Sequence, residues 1–253
     1  MDQRYQSDSV EHYLQTSSYD HSEAEDEERL KQSPMTDSKY QHRSWSYIIR
    51  HEVDWHSLIN MSTVHLLALW GVYRALVYGY RSYYTILFTY VLAALTGIGS
   101  LAGAHRYFSH RAFKAHWTFK LFLLFCQTTS GQRSVVRWAR EHRTHHRFAG
   151  TDADCVNINR GFFFAHIGWL FLKPLPECAR RMEECNVSDL TSDRLIWLQY
   201  VYYTPLMITC NALLPTAVTW LCFGEDLLNA FLWVFALRYV YTLHIAFSGK
   251  GWF

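Results

Sequence analysis

Residues Tyr83-Tyr-Thr-Ile-Leu-Phe-Thr-Tyr-Val-Leu-Ala-Ala-Leu-Thr-Gly-Ile-Gly-Ser-Leu-Ala-Gly-Ala104 carry no charged side chain, and His105-Arg-Tyr-Phe-Ser-His110 follows at once. About 20 residues of helix cross the hydrocarbon layer of a bilayer, so this block predicts a transmembrane helix with two histidines at its mouth. A buried helix in a soluble protein can also be apolar, but an uncharged run of this length is unusual there. Three further blocks are long enough to span: Leu58 to Gly79, interrupted by His65 and Arg74; Trp197 to Phe223, with Pro205 and Pro215 inside; and Leu227 to Phe247, interrupted by Arg238 and His244. Only a short turn joins the first block to the second, and another joins the third to the fourth. The expected fold class is an all-α membrane protein, with four transmembrane helices in two hairpins and a cytosolic helical cap.

Half of the 253 residues are hydrophobic, with 10 Trp, 17 Tyr and 16 Phe, and they gather in these blocks. Residues 1–44 are the opposite, with the acidic run Glu23, Glu25, Asp26, Glu27 and Glu28 and few aliphatics. Such a segment buries too little apolar surface to offset its ordering entropy, so it is expected to be a disordered acidic tail. The N-terminus has no apolar core of a secretory signal. Six scattered cysteines without Cys-x-x-Cys spacing argue against a disulfide framework and a cysteine metal site, and fit a reducing, cytosol-facing environment. A net charge of +2 is too small to suggest a nucleic-acid partner.

Charge sets the expected orientation. Between His105 and Arg194 lie 14 of the 24 Lys and Arg residues against eight acids, whereas the last turn reads Gly224-Glu225-Asp226 without a base. With Lys39, Arg43 and Arg50 ahead of the first block, the positive-inside rule puts the N-terminus and the middle segment in the cytosol. Arg74, Arg238 and His65 lie within the blocks and are given no site role.

The second histidine cluster is His142-Arg-Thr-His145-His146, within Trp138-Ala-Arg-Glu-His-Arg-Thr-His-His-Arg147. At i, i+3 and i+4 on a helix, its three imidazoles leave one face. His105 and His110 lie about 140° apart on an ideal α-helix, so they converge only if the helix ends between them or each serves a different ion. Imidazoles without thiols or carboxylates suit iron, copper, nickel or zinc. A zinc protease would need His-Glu-x-x-His; here Glu141 precedes His142 and Arg143 follows it, so that reading fails. His116 and His166 are expected to be hydrogen-bonded structural residues, and His12, His21, His42, His51 and His56 a solvated tail.

Gly103-Ala-His-Arg-Tyr-Phe-Ser-His-Arg111, Trp138-Ala-Arg-Glu-His-Arg-Thr-His-His146 and Gly161-Phe-Phe-Phe-Ala-His-Ile-Gly-Trp169 resemble the animal acyl-CoA desaturases of the stearoyl-CoA (delta-9) type, in register from about Trp45 to Ala246. The resemblance implies a multi-pass oxidoreductase of the endoplasmic reticulum membrane in unsaturated fatty acid biosynthesis. It would use O2 and electrons from cytochrome b5 at a di-iron (Fe) centre to remove two hydrogens from a long-chain acyl-CoA. It further implies His105, His110, His142, His145 and His146 as iron ligands. Gln132 and Trp138 would line the acyl tunnel, Arg140 and Lys173 would lie near the CoA head group, and Ala93 and Gly97 would form the tunnel's far end. Small side chains at that end predict tolerance of long acyl chains.

Family members carry further histidines: one in an Asn-Ser-x-x-His segment, and a third box resembling His-x-x-His-His. Neither occurs in these 253 residues, and residues 247–253 look foreign to the family. The domain expectation is therefore a tail over 1–44, an incomplete desaturase domain over 45–246 and a divergent end over 247–253. A chain lacking that box is expected to be inactive alone. The alternative is a non-catalytic form that regulates or dimerises with an intact desaturase. Two smaller departures are Gln132-Arg133-Ser134 in place of Gln-Asn-Asp, and Ala153-Asp154-Cys155-Val156-Asn157 in place of Ala-Asp-Pro-His-Asn.

Overall fold

The structure, a computed structural model, describes residues 48–79 and 82–248. The acidic segment 1–44 and most of the divergent end lie outside the described residues. Among the described residues the chain is helical, and extended pairing is confined to one antiparallel bridge between Val53 and Leu172.

Local sequence signals set the element boundaries. Helix α1, Trp55–Tyr78, starts where the Asp54 side chain accepts from the Ser57 amide, which satisfies one of the open donors of the first turn. Ser82 caps the start of α2, Tyr83–Ser109, in the same way. Helix α3, Trp117–Ser130, begins after His116, whose Nδ1 lies 2.9 Å from Oγ1 of Thr118. It stops at Gly131 (φ 69°), where a side chain would run into Asn211 and Tyr239. Ser134 caps α4, Val135–Arg147. Helix α5 is Pro176–Glu184, and Asp193 caps α6, Arg194–Val201. Helices α7, Tyr203–Phe223, and α8, Leu227–Ser248, complete the order, with Asp226 capping α8.

Three of these helices, α2, α7 and α8, are long and apolar enough to cross a membrane. Helix α1 has 24 residues, but Ser57, Asn60, Ser62, Thr63, His65 and Arg74 dilute its apolar character. The expectation of four spans is therefore met by three helices on both criteria and by α1 on length alone. Leu66, Leu76, Leu87, Tyr90 and Leu221 all face outward and exposed. An apolar outer surface of that extent suits lipid and not water.

Two arginines inside the bundle are matched by polar groups of neighbouring helices. Arg238 of α8 is 1% exposed. Its guanidinium donates to the Val234 carbonyl at 2.6 Å, to Oγ1 of Thr96 at 2.9 Å and to the Thr129 carbonyl at 3.2 Å. It also donates to the carbonyl and the side-chain oxygen of Asn211. Five donors meet five acceptors, and α2, α3, α7 and α8 are tied at one point. Arg74 reaches from α1 to Asn229 at 2.7 Å and Asp226 at 3.5 Å.

The segment between α2 and α7 packs Leu123, Leu124, Val135, Val136, Leu190 and Ile196 into one core with Phe108 from the end of α2. Cys155 and Cys178 are joined by a disulfide. That departs from the expectation of a reducing environment without a disulfide framework. The two stand 23 positions apart, and the loop after α4 folds back onto α5, a contact that Cys-x-x-Cys arithmetic does not test.

Candidate metal centre

The mouth of α2 is wound differently from its start. From Gly99 to Ser109 the helix is of the π type, with the His110 amide donating five residues back to the His105 carbonyl at 3.1 Å. Buried Gly99, Ser100, Gly103 and Ala104 keep this stretch close to α3. A spacing of five places two residues well apart on an α-helix, but i to i+5 winding returns them to one side. The rings of His105 and His110 accordingly meet edge to face at 4.7 Å. This bears on the alternative left open by the spacing: the helix changes pitch and ends at Ser109, with His110 as its cap, so both features bring the two rings together.

Helix α4 supplies the other half. His142 lies 4.6 Å from His105 and 5.0 Å from His110 between ring centres, with Nε2 of His110 and Nε2 of His142 at 2.9 Å. His146 lies 4.4 Å from His142 and 4.6 Å from His110. One donor nitrogen from each of His105, His110, His142 and His146 falls within 4.8 Å of the others. Trp138, one turn earlier on α4, stacks on His142 at 4.6 Å.

Arg143 locks α4 to the end of α2. It donates to the carbonyls of Ser109 at 3.1 Å, Phe108 at 2.9 Å and Asn186 at 2.9 Å, and makes a paired contact with both oxygens of Asp189. The hydrogen bond to Asp189 holds the Arg143 guanidinium above its ordinary range, against its burial. Burial alone would raise the Asp189 carboxyl, but Arg143 and Arg111 outweigh it and hold that group below the usual carboxylate range.

His145, expected with the other four, stands beside them. Its ring is 5.4 Å from that of His146 and 6.2 Å from that of His142. Its Nδ1 lies 2.8 Å from Oδ1 of Asp154, which is 3% exposed. The carboxylate fixes the proton on Nδ1 and leaves the lone pair on Nε2, the usual arrangement behind a ligating imidazole. Four nitrogen donors without thiolate or carboxylate make a set that fits a borderline first-row ion such as iron.

The residues expected to hold substrate fall into three places. Gln132 and Trp138 are buried and line a cavity of about 120 Å³ with Met61, Tyr239, Leu243 and Phe247. Lys173 lines another of about 70 Å³ with Arg133, Arg137 and Arg160. Arg140 is not among these; its charge acts on the Cys185 thiol, whose titration burial pushes up overall. Ala93 and Gly97 line a groove of about 210 Å³ between α2 and α8 with Ser100, Tyr241 and Ile245.

Sequence reasoning missed Asp154, whose signal was only an acid nine residues after a cluster histidine. It also missed Arg133, whose backbone is left-handed (φ 71°) and whose guanidinium lies 4.9 Å over the Trp169 ring and pairs with Glu141.

No family model matches the chain. Curated proteins do. It is 39% identical over 193 residues to stearoyl-CoA desaturase 2 of Mus musculus, covering 76% of this chain and 53% of that protein. Acyl-CoA Delta-9 desaturase of Acheta domesticus is 35% identical over 196 residues, 78% of this chain and 54% of its own length. Delta(9)-fatty-acid desaturase fat-6 of Caenorhabditis elegans is 36% identical over 193 residues, 76% and 56% respectively. The chain thus spans about half the length of the curated relatives it matches.

Proposed function

With a chain homologous to the stearoyl-CoA and acyl-CoA desaturases along about three quarters of its length, we propose that it is a membrane acyl-CoA desaturase by descent. The reaction we assign is introduction of a cis double bond, at the delta-9 position, into a saturated long-chain acyl-CoA, with O2 and electrons from cytochrome b5. The observation that carries the reading is the convergence of His105, His110, His142 and His146 at the end of an apolar helix. A methylene C–H bond has no acidic proton, so side-chain acids and bases cannot begin this reaction. Iron bound by these imidazoles would supply the oxidising chemistry, and the protein supplies binding, orientation and exclusion of water.

Each part of the chain has a task in that scheme. His105, His110, His142 and His146 would hold iron, and His145, oriented by Asp154, would serve as a further ligand of the di-iron centre. Arg133, Arg137, Arg160 and Lys173 offer guanidinium and ammonium groups to the phosphates of CoA. Gln132 and Trp138 wall the acyl chain beside the metal. Ala93 and Gly97 leave room at its far end. The topology proposed is four spans in two hairpins, in the endoplasmic reticulum membrane, with the N-terminus and histidines cytosolic.

Two measurements test this. The purified chain in lipid nanodiscs should bind Fe(II) or Co(II), and His142→Ala should abolish the tight site. It should also bind a long-chain acyl-CoA more tightly than CoA alone. Equal affinity for the two would sink the substrate assignment. A second reading rests on donor number: among the described residues, four imidazoles lie close enough to share one ion and His145 stands beside them. In that reading the chain regulates or dimerises with an intact desaturase. Expression in desaturase-deficient cells separates the two, because rescue of unsaturated acyl chains excludes a purely regulatory role.

A further inference from the structure

A second group of imidazoles, apart from the metal centre, joins three elements that the sequence keeps distant. His65 belongs to α1, His166 to the single helical turn Phe162–His166, and His244 to α8. His244 stands in the middle: its Nε2 is 3.1 Å from Nε2 of His65, and its Nδ1 is 2.8 Å from Nε2 of His166. The two contacts use opposite nitrogens of one ring. A single metal ion shared by all three would need one nitrogen of His244 to serve both neighbours, so the arrangement is one of hydrogen bonds.

Their direction follows from the ends. Nδ1 of His65 lies 2.6 Å from the Met61 carbonyl oxygen, which only accepts, so Nδ1 carries the proton. In a neutral imidazole the other nitrogen is then a lone pair. Nε2 of His65 must therefore accept from Nε2 of His244. That makes Nδ1 of His244 an acceptor, filled by the N–H at Nε2 of His166. One nitrogen is left over: Nδ1 of His166 is buried and meets no hydrogen-bonding group of the protein.

We infer that His166, His244 and His65 form a binding site for a single proton, a one-way imidazole chain that receives the proton at Nδ1 of His166. Every other ring nitrogen is committed as donor or acceptor. The bound proton is shared by hopping along the chain. With the charge on the central His244 both inner contacts link an imidazolium to an imidazole, and with it on an end ring one does; such a charge-assisted bond is roughly twice as strong as a neutral one. A second proton is opposed, because it would set two like charges on neighbouring rings. The groups facing the chain do not offset that charge. The Met61 carbonyl faces it from α1, the Phe162 ring stacks on His166 at 5.6 Å, and Arg160 is held 3.7 Å over the Phe164 ring. Among the described residues no carboxylate hydrogen-bonds any of the three imidazoles. Proton binding thus tightens the joint between the Phe162–His166 turn and helices α1 and α8. Beyond that turn come Trp169, Leu170 and Lys173, which line the cavity assigned above to the CoA head group; this last consequence alone rests on the desaturase reading.

Ring nitrogen NMR of the full 253-residue chain, labelled with 15N-histidine in nanodiscs of neutral phospholipid, tests the inference. At mildly alkaline pH the expected tautomers are Nδ1–H for His65 and Nε2–H for His244 and His166. Acidification should add one proton to the triad, appearing first at Nδ1 of His166. His244→Phe cuts the chain, after which His65 and His166 should titrate independently and take two protons. A proton on Nε2 of His65 or on Nδ1 of His244 in the neutral protein overturns the inference, as does uptake of two protons together by the unaltered triad. Should His244→Phe fail to fold, the tautomers and proton count of the unaltered chain decide alone. None of these readings needs metal or acyl-CoA, so failure here leaves the proposed function standing, and the reverse holds too.

Discussion

Asp154 accepts from Nδ1 of His145 at 2.8 Å and from the amides of Gly150 and Val156 at 3.1 and 2.9 Å. One carboxylate therefore sets the tautomer of a cluster histidine and closes the turn that follows it. Asp154→Ala strands a ring N–H and two amides in a buried place, and an unsatisfied buried group costs about 1–3 kcal/mol. The expected result is a fall in unfolding free energy of that order, together with a mixed tautomer at His145 in nitrogen NMR. Asp154→Asn keeps an acceptor oxygen and should preserve more of both. At this scale the sequence was readable where spacing is local: His142 and His146 lie on one helical face because four residues make about one turn. It was silent on Asp154, whose link to His145 depends on how a loop turns. It was silent on His65 and His244 for a stronger reason, since they meet across 179 positions with no periodicity joining them.

Helix α2 combines two windings, and the change lets histidines five apart converge. Gly99 opens the π-wound stretch, and a Cβ there would fall on the backbone of Cys126 and Gln127 in α3. Backbone cannot yield as a side-chain tip does, so Gly99→Ala must push α2 from α3. Overpacking typically costs about 1–3 kcal/mol, and this case belongs at the upper end; a thermal unfolding midpoint unchanged by Gly99→Ala would refute it. Two residues earlier, Gly97 has open space around it. Gly97→Ile should fold normally and, in an active form, shift preference toward shorter acyl chains. The apolar blocks announced the spanning helices because hydropathy is a property of the run. The pitch change was not announced, because Gly and Ala in a helix specify closeness to a neighbour and not the hydrogen-bond step. Between elements, Asp189 and Asp193 hold the cap together through Arg143 and Lys120. Burial raises both carboxyls, but their cationic partners outweigh it, and both titrate below the ordinary range. A carboxyl lowered in the folded state adds stability above its unfolded value of about 3.9 and loses it as pH falls through the folded value. Unfolding midpoints should therefore drop on acidification below about pH 4, and Asp189→Asn should flatten that drop.

For the whole molecule, the question is what aligns the apolar helices so that a metal cluster forms at one end. Lipid is as apolar as leucine, so burial of side chains gives little preference for one helix arrangement over another, and polar contacts and close packing decide it. Two arginines expected at membrane depth resolve into different grades of such contact. Arg74 joins α1 to the start of α8 near the surface, with Arg74 and Asp226 23% and 37% exposed. An exposed pair of this kind is worth about 0–1 kcal/mol, so the main cost of Arg74→Met is the single stranded acceptor of buried Asn229, about 1 kcal/mol. Arg238 is sealed, and its five donors serve acceptors on four helices. The sequence marked both positions as anomalous but could not grade them, because the grade depends on Thr96, Thr129 and Asn211, each contributed by a different helix. Arg238→Leu would leave the Asn211 side chain, the Thr96 hydroxyl and the Thr129 carbonyl without their donor at once. At about 1 kcal/mol or more per stranded group, the expected loss is about 3 kcal/mol or greater, read by denaturant titration in mixed micelles. Arg238→Lys, with three donors in place of five, should recover only part of it. Because α2 and α3 are both held through Arg238, His105 and His110 should lose their alignment with His142 in the leucine variant, and Co(II) affinity should fall together with stability. Retention of full metal affinity in a folded Arg238→Leu protein would mean that the cap positions the histidines by itself.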